Sequence, residues 1–135
     1  MYAVGQGAMA VETRSDDASM NQLLLPLNDP DTLLCCVAER AFLHDLGGGC
    51  SVPVGTYSAV QNGSLEMEGA VFSLSGSEVV KDSVVVPLPE NHAALPLQEW
   101  YSLSEKAGSG LARRLLDRGA GPILARAKEE VGLAM

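Results

Sequence analysis

Asn62 and Gly63 stand between two stretches rich in β-branched residues, and in that setting the dipeptide is the strongest short-range signal for an antiparallel hairpin. The stretches are "SVPVGTYSAV" (51–60) and "SLEMEGAVFSL" (64–74). A third, "SEVVKDSVVVPL" (77–88), follows a Ser-Gly-Ser sequence that also favours a tight turn, so the segment reads as a three-stranded meander. In the second stretch Leu65, Met67, Gly69, Val71 and Ser73 alternate with Glu66, Glu68, Ala70, Phe72 and Leu74. One face is therefore polar at its start, and both become apolar later.

Ahead of the meander, "NDPDTLLCCVAERAFLHDL" is the clearest helix. Asp29 can cap it, Pro30 suits its first position, and Asp31 complements its dipole. Leu34, Val37, Ala38, Ala41 and Phe42 form one apolar stripe, and Gly47 suits the left-handed position past the end. Beyond the meander, residues 87–103 carry three prolines in a polar mixture and read as a surface loop. Two helices then follow, the first with Leu111, Ala112, Leu115 and Leu116. Gly119 breaks it, and Pro122 starts the second with Ile123, Leu124 and Ala127 inward.

These pieces predict an α+β domain over 29–135, a small three-stranded antiparallel sheet with flanking helices. Residues 2–12 read as a strand interrupted by two glycines, and "SDDASMNQLLLPL" as a short capped helix ending near Pro26. A lone strand and short helix cannot close a sheet, so residues 1–28 are expected to be the tail of another domain.

The chain has 135 residues, enough for one core that buries roughly two thirds of the unfolded surface. No apolar run reaches the roughly 20 residues of a bilayer span, and "MYAVGQGAMAVETR" lacks the regions of a secretion signal. A soluble cytoplasmic protein is expected. Nine basic against seventeen acidic residues give a charge of −8, which disfavours nucleic acid and anionic membranes as partners.

The chemistry concentrates on cysteine. Cys50 follows three glycines at a helix end, where a thiol is approachable and a bulky ligand can come close; the competing reading is an ordinary buried cysteine. Cys35 and Cys36 sit within the helix and read as packing residues. A redox or metal-binding protein built on Cys35, Cys36, Cys50 and His44 would want C-x-x-C or H-x-x-x-H spacings, which are absent. "GQGAMAVE" has a G-x-G without the rest of a dinucleotide fingerprint. His44 and His92 read as solvated, as does the arginine-bearing face of "LARRLLDR".

"VGQGAMAVETRSDD", "DPDTLLCCVAERAFLHDLGGGCSVPVG" and "LARRLLDRGAGPIL" together resemble the C-terminal portion of the porphobilinogen deaminase (hydroxymethylbilane synthase) family. That family condenses four porphobilinogen molecules head to tail with loss of ammonia and releases linear hydroxymethylbilane for tetrapyrrole synthesis. The resemblance implies a transferase whose dipyrromethane cofactor is held by a thioether to Cys50, with Gly48 and Gly49 in the pliable run before it. It makes Gly5, Gln6 and Gly7 cofactor-side contacts, 1–28 the end of the second domain, and 29–135 the anchoring domain. Glu39 and Arg40 are expected to tie the helix to neighbouring domains.

The resemblance further implies a monomeric complete enzyme. Its catalytic aspartate and the arginines and lysine that bind substrate carboxylates belong to earlier domains with no counterpart in these 135 residues, so no catalytic residue is expected within this chain. Gly47 stands where the family usually has glutamate, and the extra glycine should loosen the loop by about 1 kcal/mol. A non-catalytic paralogue or fragment that docks on a partner through an apolar surface is the alternative expectation.

Overall fold

The computed structural model describes residues 1–47, 52–94 and 96–133. Helix α1 (Ala18–Leu24) runs into a 3-10 turn (Leu25–Leu27). Helix α2 (Pro30–Asp45) leads to strands β1 (Val54–Gln61), β2 (Ser64–Phe72) and β3 (Val79–Pro87). A 3-10 turn at His92–Ala94 precedes α3 (Leu97–Leu115), and α4 (Gly121–Leu133) follows. The expected class is the observed one, a three-stranded antiparallel sheet of order β1-β2-β3 with flanking helices.

Local chemistry sets the element ends. Asp17 and Asp29 cap α1 and α2 by accepting from the backbone N–H of Met20 and Thr32, at 3.0 and 2.8 Å. Asn62 and Gly63 both take positive φ, 51° and 69°, the geometry of a two-residue turn whose twist matches that of the strands it joins. The second connection is wider than the tight turn expected. Ser73 N–H bonds the Glu78 carbonyl at 3.0 Å, leaving four residues between them with Gly76 at φ 72°.

Leu65, Met67, Gly69 and Val71 of β2 are buried on the face that receives the helices. Gly69 and Gly108 show how close that approach is. A Cβ on Gly69 would stand 2.4 Å from the Phe42 ring of α2, with Leu111 of α3 at 3.1 Å. A Cβ on Gly108 would lie 2.0 Å from the Ala38 carbonyl oxygen, so α3 meets α2 backbone to backbone. Around this contact Phe42, Leu111, Leu115, Leu124 and the β2 residues share one core.

Three expectations are corrected. The predicted strand over 2–12 shrinks to a single bridge, Tyr2 with Thr56 at the free edge of β1, because Gly5 and Gly7 take φ of 67° and 83° and turn the chain away. The surface loop predicted for 87–103 ends early, since α3 begins at Leu97 and buries Trp100, Ser104 and Ala107 in register with Leu111 and Leu115. Serines and glycines masked this stripe, yet Gly108 is there for helix contact. Leu116, expected on the apolar side, is 38% exposed.

Candidate functional site

The Val4–Gly7 turn brings the N-terminal glycines onto α2. Gln6 is exposed and its side-chain carbonyl accepts from Ala3 N–H at 3.1 Å, while Gln6 N–H bonds the Ala3 carbonyl at 3.0 Å. Gly5 N–H donates to Glu39 Oε2 at 2.8 Å. Gly7 is exposed. The resemblance makes these three cofactor-side contacts, and the turn they form is braced by Ala3 and Glu39.

Glu39 is the hub of that brace. Only 3% exposed, it accepts from Gly5 N–H through one oxygen and from the Ser58 hydroxyl through the other, at 2.5 Å. Both oxygens of a buried carboxylate are thereby satisfied, as they must be for burial to be tolerable. Ser58 N–H in turn donates to the Tyr2 hydroxyl at 3.1 Å. The N-terminal turn, α2 and β1 are thus joined at one point. Arg40, expected to share Glu39's role, is exposed.

At its other end α2 becomes the root of the glycine loop. Cys50, Gly48 and Gly49 lie outside the described residues, but both roots of their loop are within them. Leu46 is buried, and Gly47 turns left-handed at φ 64° as expected, with its N–H on the His44 carbonyl at 2.9 Å. Lys128 of α4 donates to the Gly47 carbonyl at 2.7 Å. On the far side Val52 is half-buried against the core, and its carbonyl accepts from Val54 N–H at 2.8 Å. Four residues therefore span two fixed points.

Beside the Gly47 root lies a shallow depression of about 360 Å³ lined by His44, Asp45, Ser109, Arg113 and Leu116. The Ser109 hydroxyl and then the His44 ring, whose Nδ1 is 3.1 Å from Asp45 Oδ1, hold the Asp45 carboxyl below its ordinary range. The C-terminal end of α2 is the negative end of its dipole and opposes an anion placed on it. Lys128 and Arg113 bring positive charge to that end. Nothing in the sequence pattern announced Lys128, which reaches the root from 81 residues away.

The other thiols are poorly suited to attack. Both are free and half-buried, and burial pushes each upward; nearby Glu39 adds to the rise in both, while the Ser58 hydroxyl offsets part of it at Cys35. Less thiolate means less nucleophile. Among the described residues no three His, Cys, Asp or Glu side chains converge as metal ligands, and no described helix is long and apolar enough to cross a membrane.

One solvated reading needs correction, that of His92, whereas Arg113, Arg114 and Arg118 are exposed as expected. His92 Nε2 sits 2.9 Å from Asp31 Oδ1, and the His92 carbonyl accepts from Trp100 Nε1 at 2.6 Å, which pins the loop to α2 and α3. Arg114, one of the arginines of "LARRLLDR", bonds Asp82 and the Ser83 carbonyl at 2.8 and 2.7 Å, and Arg118 lies 3.4 Å from Asp82.

Residues 33–95, which contain Glu39, Ser58 and the whole glycine loop, match the family described as porphobilinogen deaminase, C-terminal domain. The chain is 41% identical over 127 residues to a porphobilinogen deaminase of Syntrophomonas wolfei, covering 94% of this chain and 37% of that protein. It is 39% identical over 130 residues to that of Prochlorococcus marinus strain MIT 9215, covering 96% and 37%. With that of Yarrowia lipolytica the identity is 37% over 124 residues, covering 92% and 34%. The chain thus spans a little over a third of these relatives' length.

Proposed function

The chain belongs to the porphobilinogen deaminase family, whose C-terminal domain it carries, and we propose that it serves as the cofactor-anchoring part of a hydroxymethylbilane synthase. The complete reaction on this reading is the stepwise condensation of four porphobilinogens with release of ammonia. The observation that carries the proposal is the Gly-Gly-Cys loop inside the family match, slung between a Lys128-held root at Gly47 and a core-packed Val52.

The residues at the loop root suit a dipyrromethane held there. Its ring substituents are carboxylates, and Arg113, Lys128 and His44 are the cationic or protonatable groups beside the root. Cys50 would hold it through a thioether: its sulfur gives an electron pair to the methylene carbon left when porphobilinogen loses ammonia, and its proton passes to solvent. When bound, the group supplies the fixed end on which the pyrrole chain grows. Glu39 holds α2 and the N-terminal turn in register beneath, and Gly5, Gln6 and Gly7 would border the cofactor from that turn. Residues 1–28 are on this reading the end of the second domain, and 29–135 the anchoring domain of a cytoplasmic enzyme that is monomeric when complete.

The test is the intact mass of the chain after incubation with preuroporphyrinogen or porphobilinogen, beside Cys50→Ser. A two-pyrrole adduct lost in the variant is the expected result; an adduct that persists in it would overturn Cys50 as the anchor. A second reading, a binding domain without catalysis, draws on the exposed apolar side chains Met9, Leu23, Leu25 and Leu27, 99, 70, 65 and 73% exposed. Partner-dependent retention on a sizing column, abolished by Leu23→Ser with Leu27→Ser, would favour it.

A further inference from the structure

The glycine loop begins where a helix ends, which is the unfavourable end for an anion. At the C-terminus of α2 the last backbone carbonyls lack helical partners and together carry the equivalent of roughly half a negative charge. Cys50 follows Gly47 by three residues, so their Cα atoms lie no more than about 11 Å apart even with the chain fully extended. A sulfur that must react as thiolate is therefore tethered near charge of its own sign. Asp45, in the last turn of α2, adds a second negative group.

Two cations reach this end from different helices. Arg113 of α3 lines the depression that also holds Asp45, His44 and Ser109, so its charge answers that carboxylate. Lys128 of α4 answers the helix end itself, donating to the Gly47 carbonyl at 2.7 Å. The base of Lys128 is fixed, because Ile123, Leu124 and Ala127 of the same helix are buried. Its ammonium also lies close over Gly47: a Cβ at that position would stand 3.3 Å from Lys128 Nζ. Gly47, left-handed at φ 64° and without a side chain, leaves the room that the ammonium takes.

From this contact we propose that Lys128 is a positioning residue for the Cys50 sulfur: it offsets the negative end of α2 at the root of the loop and so keeps the thiolate available for attack. The inference rests on the reading of Cys50 as the nucleophile and adds to it the residue that answers the helix end. The step it assists forms a bond from sulfur to an electrophilic methylene carbon, whose leaving group departs with the bonding pair, the thiol proton having passed to solvent. Lys128 neither gives nor takes that proton. It acts by charge, held in place through Gly47.

The test is the rate at which iodoacetamide alkylates Cys50 in the whole chain at neutral pH, followed by peptide mass beside Cys35. The reagent is uncharged, so its own encounter with the loop does not depend on salt. Lys128→Met should slow Cys50 by about threefold at roughly 0.01 M salt, and Lys128→Glu by more, with Lys128→Arg near the parent rate. At about 1 M salt, where the screening length falls to about 3 Å, the Lys128→Met and parent rates should converge. Cys35 should respond to none of these changes.

A rate lost equally at low and high salt, or one that Lys128→Arg does not restore, would make Lys128 a packing residue and overturn the proposal. So would a Lys128→Met rate equal to the parent's or above it. Failure of the Cys50 reading shows elsewhere, as a two-pyrrole adduct that survives Cys50→Ser, whereas failure of this proposal shows in the alkylation rates while that adduct remains dependent on Cys50.

Discussion

In α1 and the 3-10 turn after it no residue is buried, whereas α2 alone buries Leu34, Ala38, Glu39 and Phe42. The N-terminal segment is held by caps and by a few hydrogen bonds at Tyr2 and Gly5. The sheet and its helices are held by close-packed apolar surface. Of two segments with similar apolar content, only the one whose hydrophobic residues fall on a face opposed by another element gains from burial. The Glu39 brace is where the loose region is fastened to the packed one.

The sharpest way to break this contrast is a pair of truncations. Phe42→Ala should cost about 3–5 kcal/mol by denaturant titration, since the ring is fully buried over Gly69. Leu23→Ala should cost less than about 0.5 kcal/mol. Equal costs would mean that α1 is packed against something after all.

Next in size is Gly108→Ala, where the new methyl would run into the Ala38 carbonyl; about 1–3 kcal/mol is expected from the same titration, although alanine is the better helix former. Glu39→Ala should cost about 1–3 kcal/mol and strand the Gly5 and Ser58 donors. Its particular signature is faster hydrogen exchange at the Gly5 and Tyr2 amides with β2 amides unchanged in order. Exchange rising everywhere alike would make Glu39 a core residue and not a fastening.

The smallest effect is a pH dependence at the β3 edge. Arg114 first, then the Ser83 N–H, holds the Asp82 carboxyl below its unfolded value of about 3.9. A depressed folded pKa contributes stability that is present above the unfolded value and is lost as pH falls through the folded one. Asp82→Asn should therefore flatten the acid limb of the stability curve below about pH 4. An unchanged limb would separate the ion pair from stability.

The helix caps, the Asn62-Gly63 turn, the α2 stripe and Gly47 were legible because each depends on neighbours in sequence. What was not legible depends on partners far along the chain. Gly108 has no local mark of its role until α2 lies against α3. His92 reads as solvated until Asp31 arrives from 61 residues away, and the Asp82 partner of the exposed Arg114 comes from 32 residues away. Asp82 itself was a signal, an acid on the inward row of a valine-rich strand. At the candidate site the thiol was conspicuous in its glycines, while Lys128 had no local mark.

The central claim is that the reactive chemistry of this chain resides in one thiol on a loop rooted in the packed region. Residue-resolved alkylation by iodoacetamide at neutral pH tests it most directly, with the three cysteines followed separately by peptide mass. Cys50 should be modified at least tenfold faster than Cys35 and Cys36, whose thiols burial pushes up. Modification of Cys35 or Cys36 at the rate of Cys50, or ahead of it, would contradict the account.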